Sequence, residues 1–349
     1  YLGTMKNSIA DFRSDTVTRP SKGMLNAMQE APIGDDVLGD DPTVKYLESM
    51  ASEIFGMEAG LFCPSGTMTN QIAINVHCNP GEELICSPLS HIYNYEGGGV
   101  AFNSGVQIRT AGDKYGRILA EEVESLIQPE IDVHAAQTSL IVVENTSNKG
   151  GGTCLGLPLL REISNISKKH GINYHLDGAR LFNAMVRDNE TPKQYDFFDS
   201  ISICLSKGLG APIGSLLLSN KDFIEQGRRV RKRLGGGMRQ SGYLAAAGIY
   251  ALKNNINRLD EDHLLAQKIN NLLKELDYIA EIKPVQSNII LFRVIKSVNP
   301  SDLFNHLQKN GVYIILMDKE WMRIVTHLDI SKKHFQMLSE SLYSFSSKI

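Results

Sequence analysis

Short apolar runs alternate with amphipathic stretches through the middle of the chain. Runs that are apolar at nearly every position predict strands covered on both faces of a sheet. Four such strands are predicted, over residues 139–144, 172–177, 200–205 and 214–219. A helical pattern from about Pro158 to His170 lies between the first two of them. Strands that alternate with helices in this way predict an α/β domain with a mostly parallel sheet.

The pattern changes towards the end of the chain. One continuous helical region is predicted from about Gln240 to Leu276. Beyond it the pattern predicts a compact α+β unit, with strands over residues 288–292 and 322–326 and helices over 301–309 and 331–345. We therefore expect an N-terminal arm over residues 1–20, a large domain over 21–260 and a small C-terminal domain over 261–349.

Composition narrows the classes of function. The 349 residues carry a net charge of -3, so no strong field favours nucleic acid, and the basic cluster at 228–233 is interpreted as a solvated helix face or part of a subunit interface. No apolar run approaches the roughly 18 residues that span a membrane, and the N-terminus lacks the apolar core of a secretory signal. The five cysteines predict neither a disulfide framework nor a zinc site. They favour a reducing compartment, and we expect a cytoplasmic protein.

Chemically useful side chains follow two of the predicted strands, at the edge of an open α/β sheet where ligands bind. Lys207 comes directly after the run that ends at Leu205, and small residues behind it leave room for a flat ligand. Asp177 ends the preceding strand, where a buried carboxylate needs a cation or hydrogen-bond donors. Simpler alternatives are a lysine that reaches out to solvent and an ion pair between Asp177 and Arg180.

A third feature lies upstream. Ser65, Gly66 and Thr67 open a predicted helix, where free N–H groups and hydroxyls bind phosphate, although Ser and Thr also act as simple N-caps. A phosphate cup, a carboxylate and a lysine on successive strand ends together predict a site for pyridoxal 5′-phosphate (PLP), held as a Schiff base on Lys207. The carboxylate of Asp177 would face the pyridine nitrogen. A dinucleotide fingerprint, a P-loop and a metal site are not predicted.

Longer stretches of the sequence resemble the threonine aldolase family, within the PLP-dependent fold type I (aspartate aminotransferase-like) proteins. The matching stretches are Asp11–Thr18, Gly34–Gly39, Pro64–Met68, Ser90–His91, Glu144–Thr146, His175–Arg180, Leu205–Gly208, Leu234–Gln240 and Arg323–His327. The resemblance implies a lyase that cleaves L-threonine or L-allo-threonine, small β-hydroxy-α-amino acids, into glycine and acetaldehyde. It also implies a homotetramer, a dimer of dimers, with active sites at a dimer interface.

The resemblance assigns cofactor-binding roles that agree with the reasoning from the residues. By resemblance, Lys207 carries the cofactor, Asp177 pairs with the pyridine nitrogen, and Gly66 and Thr67 hold the phosphate. Arg239, in a glycine-rich stretch, is expected to reach a phosphate in the neighbouring subunit's site.

The resemblance also assigns residues to the substrate. Ser14, Arg180 and Arg323 are expected to bind its carboxylate, with Arg180 also near the cofactor ring. His91 is expected to stack on the ring, and His134 to lie close to the substrate hydroxyl. The corresponding simpler interpretations are a core residue for His91, an ordinary loop residue for His134 and a structural ion pair for Arg323.

Two rival functions stay open at this point. One is a different PLP reaction on the same fold, such as a phenylserine aldolase or a β-eliminating lyase. The other is a non-catalytic protein that has kept a PLP site, which the lysine at position 207 argues against. Neither a nucleic acid nor a membrane is expected as a partner.

Overall fold

The computed structural model describes residues 9–128 and 132–346. Its helices are α1 (Lys22–Gln29), α2 (Pro42–Phe55), α3 (Gly66–His77), α4 (His91–Asn94), α5 (Gly99–Ser104), α6 (Ala120–Leu126), α7 (Leu157–His170), α8 (Leu181–Asp188), α9 (Lys221–Arg233), α10 (Gly242–Asn254), α11 (Leu259–Lys274), α12 (Pro300–Lys309) and α13 (Lys332–Ser346). Its strands are β1 (Ala10–Asp11), β2 (Ala59–Cys63), β3 (Glu83–Cys86), β4 (Gln107–Thr110), β5 (Thr138–Glu144), β6 (Asn173–Gly178), β7 (Ser200–Cys204), β8 (Ser215–Ser219), β9 (Ile279–Ile282), β10 (Ile289–Val294), β11 (Val312–Tyr313), β12 (Ile315–Leu316) and β13 (Trp321–Val325). Two 3-10 helices are Asp15–Val17 and Pro192–Tyr195.

Seven strands form the central sheet, in the order β2-β8-β7-β6-β5-β3-β4. Only β8 runs antiparallel to its neighbours in this sheet, so the predicted mostly parallel α/β architecture is confirmed. Every residue of β7 and β8 is buried, because helices cover both faces. The carboxyl ends of the parallel strands β5, β6 and β7 therefore meet at one edge, where ligands bind in such sheets.

The four strands predicted in the middle of the chain all form, within a residue or two of the expected bounds. The single helix predicted from Gln240 to Leu276 is wrong, because α10 ends at Asn254 and α11 begins at Leu259. Asn255 caps α10, and its side-chain Nδ2 donates to the carbonyl of Leu209 at 2.7 Å. Asparagine competes with the helical backbone for hydrogen bonds, which accounts for the break.

A smaller antiparallel sheet, in the order β12-β13-β10-β9, lies in the C-terminal part of the chain. Its core also takes in Ala10 and Phe12, and β1 pairs in parallel with β11. The described part of the N-terminal arm therefore packs on the C-terminal unit, and residues 1–8 lie outside the described residues. Residues 13–18 then lead from the C-terminal unit to the large sheet, where Asp15 contacts Arg180 and Thr18 contacts the carbonyl of Lys207. The domain bounds at residues 20 and 260 stay a prediction.

The structure also bears on two further expectations, which concern membrane spans and the cysteines. Among the described residues no helix combines the length and the apolar character needed to cross a bilayer. All five cysteines are buried with free thiols, as small core residues are.

Candidate active site

A cavity of about 170 Å³ lies where β6 and β7 end and α3 begins. It is lined by Ser65, Gly66, Thr67, Asn70, His91, Asp177, Ala179, Cys204, Ser206 and Lys207. The structure thus brings together most of the residues that the sequence assigns to a cofactor, from four separate stretches of the chain.

The start of α3 forms one end of the cavity. Ser65 is the N-cap, and its side chain accepts from the N–H of Met68 at 3.2 Å, so the simpler capping interpretation holds as well. The N–H groups of Gly66 and Thr67 have no acceptor within the described part of the chain, as is usual in a first helical turn. A Cβ added at Gly66 would lie 2.6 Å from the sulfur of Cys204, so only glycine fits here. The helix start therefore presents free donors to an anion.

Asp177 is a buried carboxylate at the end of β6. Its Oδ2 accepts from Nδ2 of Asn70 at 2.8 Å, and its Oδ1 accepts from the N–H of Ala179 at 3.2 Å. Its side chain is 3% exposed, and no lysine or arginine of the described residues forms an ion pair with it. The alternative ion pair with Arg180 is wrong, because Arg180 pairs with another carboxylate. A buried anion held only by neutral donors is suited to a cationic ligand.

These features fit PLP. Free N–H groups at the start of α3 suit its phosphate, and the uncompensated carboxylate of Asp177 suits a protonated pyridine nitrogen. The amine of Lys207 lines the same cavity and, in the described ranges, has no hydrogen-bond or ion-pair partner.

His91 begins α4 at the mouth of this cavity. Its backbone N–H donates to Oε2 of Glu144 at 2.6 Å, and its Nδ1 lies 2.8 Å from Oε1 of Glu96. Because a carboxylate accepts there, Nδ1 carries the proton and Nε2 keeps a lone pair. Burial opposes the protonated ring, but the hydrogen bond to Glu96 and the charge of Asp177 outweigh it and raise the pKa of His91. The core interpretation of His91 does not hold, since the ring is partly exposed.

Ligand atoms of His91, Glu96 and Asp177 lie within 4.8 Å of one another. The side chain of Asn70 donates to Glu96 at 2.9 Å and to Asp177 at 2.8 Å. These hydrogen bonds explain the approach of the two carboxylates, and the expected absence of a metal stays a prediction.

Arg180 is buried and precedes α8. Its Nε and Nη2 donate to the two carboxylate oxygens of Asp15, at 2.8 and 2.7 Å, which leaves Nη1 for a ligand. The charge of Arg180 holds the pKa of Asp15 far below its usual value, although burial alone would raise it. Ser14, predicted to bind substrate, accepts hydrogen bonds from the N–H and hydroxyl of Thr16 instead, and its role stays a prediction.

Arg323 approaches the site from β13. Its Nη1 donates to Oδ1 of Asn148 at 2.8 Å, and its Nη2 donates to the carbonyl of Arg13 at 3.0 Å. No carboxylate of the described residues pairs with it, so the interpretation as a structural ion pair is wrong. Burial, reinforced by the charge of Arg180, lowers the pKa of Arg323 to about 10. Arg323 is thus a buried guanidinium without a carboxylate partner in the described part of the chain, which suits it to bind an anionic ligand.

His134 does not join this group within one chain. It lies on the turn before β5, and its side chain is 91% exposed beside Asp132. The site is at the other end of β5, where Glu144 contacts His91, and a strand of this length spans roughly 20 Å. A role for His134 at the substrate hydroxyl stays a prediction, and the single chain gives it no support.

Arg239 also lies outside the cavity. Its side chain is 57% exposed and pairs with Asp35 at 2.9 Å, so its predicted contact with another subunit stays a prediction. Two of the five basic side chains in the cluster on α9 form ion pairs. Arg228 pairs with Glu48 at 2.6 Å, and the buried Arg231 pairs with Asp36 at 2.8 Å. The cluster is therefore only partly the solvated face that the sequence suggested.

Five further residues of the site escaped the sequence analysis: Asp15, Asn70, Glu96, Glu144 and Asn148. Asp15 and Glu144 stand inside stretches that resemble the family, and Asp15 directly follows the assigned Ser14. Asn70 had no distinguishing signal, because Thr69 and Gln71 beside it are polar too and α3 holds a second asparagine, Asn75. Glu144 makes two contacts. Its Oε2 accepts from the N–H of His91 at 2.6 Å, and its Oε1 accepts from the N–H of Asn148 at 2.8 Å.

Comparisons with known proteins show which family the chain as a whole resembles. The family described as "Beta-eliminating lyase" matches residues 11–296. The "Low specificity L-threonine aldolase" of Escherichia coli K12 is 44% identical over 327 residues, which cover 93% of this chain and 95% of the relative. The "Probable low-specificity L-threonine aldolase 2" of Arabidopsis thaliana is 41% identical over 328 residues and 92% of each chain. The solved structure of Leishmania major threonine aldolase has a TM-score of 0.83 at 22% identity, covers 96% of this chain and 99% of that one, and so shows the shared fold.

Proposed function

Since the chain belongs to the threonine aldolase family, within the broader group of the β-eliminating lyases, we propose that it cleaves L-threonine and L-allo-threonine into glycine and acetaldehyde with PLP. One structural observation supports this proposal independently of the family. Lys207, an uncompensated Asp177 and the free N–H groups of α3 line one cavity. Two buried arginines also interact electrostatically with each other, and only Arg180 pairs with a carboxylate of the described residues.

PLP, when bound, withdraws electrons from the Cα of an attached amino acid and so permits the bond to Cβ to break. Gly66 and Thr67 hold its phosphate with their N–H groups. Asp177 keeps a negative charge beside its pyridine nitrogen, and Lys207 provides the amine that attaches it to the chain. The stacking of His91 on the ring is supported by the position of His91 at the mouth of the cavity.

The substrate carboxylate is bound by Arg323 and by the free Nη1 of Arg180. A planar guanidinium binds a carboxylate through two parallel hydrogen bonds, and this fixes the rotation of the substrate about its Cα–N bond. That rotation decides which bond at Cα is cleaved. Asn148 and the carbonyl of Arg13 hold Arg323 in place for this contact.

His91 is the better candidate for the base that takes the proton of the substrate's β-hydroxyl group. Its Nε2 keeps a lone pair because Nδ1 donates to Glu96, and the ring lines the cavity. His134 is exposed at the far end of β5. In its neutral form the ring can accept that proton at Nε2, and the raised pKa of His91 favours holding it.

The test is a product analysis with L-threonine and L-allo-threonine as substrates. Equimolar glycine and acetaldehyde are expected, together with a visible absorbance band from bound PLP. Ammonia and a keto acid would instead indicate a β-eliminating lyase, and aldehyde release confined to phenylserine would indicate a phenylserine aldolase. Lys207→Ala is the control, and it should lose both the band and the activity. Product formation by that variant at the wild-type rate would contradict the proposal.

A cytoplasmic homotetramer, a dimer of dimers, completes the proposal. It is supported by Arg239, which stands exposed beside Asp35 on the outside of its own subunit. Such a guanidinium can reach a phosphate across an interface. Sedimentation of the active enzyme tests this, and a fully active monomer would contradict it.

A further inference from the structure

A line of hydrogen bonds leads to Asp177 along one face of the sheet, from the start of β7. Nε2 of His77 lies 2.7 Å from the hydroxyl of Ser200, which lies 2.7 Å from Nδ1 of His175. Nε2 of His175 lies 3.2 Å from Oδ1 of Asn70, and Nδ2 of Asn70 donates to Asp177 at 2.8 Å. Ser200, His175 and Asn70 are buried, so water does not compete for these contacts.

Both histidines in this line are neutral at neutral pH. Burial lowers the pKa of His175 to about 4 and that of His77 to about 3. A neutral imidazole carries one proton, so each ring donates through one nitrogen and accepts through the other.

Only one arrangement of protons satisfies the whole line. The amide nitrogen of Asn70 faces two carboxylates, Asp177 and Glu96, which only accept hydrogen bonds. The amide oxygen of Asn70 therefore faces His175, and Nε2 of His175 must carry the proton. Its Nδ1 then accepts from the hydroxyl of Ser200, and the oxygen of Ser200 accepts from Nε2 of His77. Every donor in the line points towards Asp177.

We propose that Asn70, oriented by His175, is a positioning residue that holds Asp177 as a fixed carboxylate facing the cofactor's pyridine nitrogen. An amide suits this role because it donates hydrogen bonds without bringing a positive charge. A lysine or arginine at position 70 would neutralise Asp177 and compete with the pyridine nitrogen for it. The second N–H of Asn70 binds Glu96 and so lets the two carboxylates lie near each other. This inference rests on the proposed function, since it takes PLP as the ligand.

The first test removes the donor. Asn70→Asp keeps the size of the side chain but exchanges its NH₂ for an oxygen, so Asp177 loses a hydrogen bond and gains a like charge. The dissociation constant for PLP, titrated into the cofactor-free protein, should rise by about 10- to 100-fold. The pH at which the bound cofactor's visible band changes should also shift. Asn75→Asp adds the same charge to α3 beside Asn103, away from the cavity, and should leave both readouts unchanged.

The second test needs no new charge and covers the case in which Asn70→Asp does not fold. A glutamine at position 175 places its amide nitrogen near the position of Nε2, whereas an asparagine places its amide near Nδ1 and falls short of Asn70. His175→Gln should therefore bind PLP within about threefold of wild type, and His175→Asn about tenfold more weakly. Melting temperatures of the two cofactor-free variants show whether both retain the fold.

The outcomes separate this inference from the proposed function. Equal PLP affinity and an unshifted band in His175→Gln and His175→Asn, with only their melting temperatures lowered, would overturn the positioning role and leave the proposed function standing. A wild-type protein that binds no PLP would overturn the proposed function, and the positioning role with it.

Discussion

Asp15 offers a quantitative test of how the N-terminal arm supports the site. It bonds the two guanidinium nitrogens of Arg180 at 2.7 and 2.8 Å, and it accepts from Nδ2 of Asn288 at 3.1 Å. The arm thus connects the large sheet to the C-terminal unit through one buried carboxylate. Asp15→Asn removes the charge and keeps the shape, so Arg180 is left as a buried cation close to Arg323.

The expected cost follows from the burial of the pair. The side chain of Asp15 is 0% exposed and that of Arg180 is 5% exposed, and removing one partner of such a pair costs about 3–5 kcal/mol. For 349 residues the entropy of unfolding at the midpoint is about 0.7 kcal/mol/K. The midpoint of thermal unfolding of the cofactor-free protein should therefore fall by about 4–7 °C, if it unfolds in one transition.

Differential scanning calorimetry measures this shift, and Asp11→Asn is the matched control. Asp11 lies on the same arm and pairs with Arg13 at 2.6 Å, but that pair is partly exposed and is worth about 0–1 kcal/mol. The pKa of Asp15 is lower in the folded protein, so its contribution is complete above the unfolded pKa and is lost as the pH falls below about 4. An Asp15→Asn shift no larger than that of Asp11→Asn at pH 7 would refute the reasoning.

Three further predictions concern the ligands. Arg323→Ala should leave the PLP band intact but lower kcat/KM on L-allo-threonine by about 10- to 150-fold. Arg323→Lys should restore little of this activity, because lysine lacks the planar guanidinium group. Wild-type kinetics in the alanine variant would show that Arg323 has a structural role. Asp177→Asn should lower kcat by about 10²-fold or more at saturating PLP, since an amide does not stabilise a pyridinium cation; near wild-type turnover would contradict this. Arg239→Ala should weaken PLP binding about tenfold, as measured by titration, whereas the exposed Arg229→Ala should not; equal affinities would exclude the contact between subunits.

The parts of the site that the sequence predicted are those set by local pattern. Lys207 and Asp177 each follow an apolar run, and a buried strand in a parallel sheet has its carboxyl end at the ligand edge. Gly66 opens a helix, and the free N–H groups of a first turn do not depend on the rest of the fold. The prediction of one long helix across residues 255–258 was wrong because the break there is set by a distant contact. Its apolar period continues on both sides, whereas the break depends on Asn255 reaching the carbonyl of Leu209 elsewhere in the fold.

The partners of these residues depend on contacts between distant segments. Arg180 meets Asp15 across 165 residues of sequence, and Arg323 meets Asn148 across 175. Nothing in the local sequence favours Asp15 over Asp177 as the partner of Arg180, yet the choice decides the chemistry. Because Asp15 takes the guanidinium, Asp177 keeps an uncompensated charge for the ligand. The arm that carries Asp15 therefore contributes to the site as well as to the packing of the C-terminal unit. By pairing with Arg180, three residues from Asp177, it leaves that carboxylate without an arginine partner, as the proposed role of Asp177 at the cofactor requires.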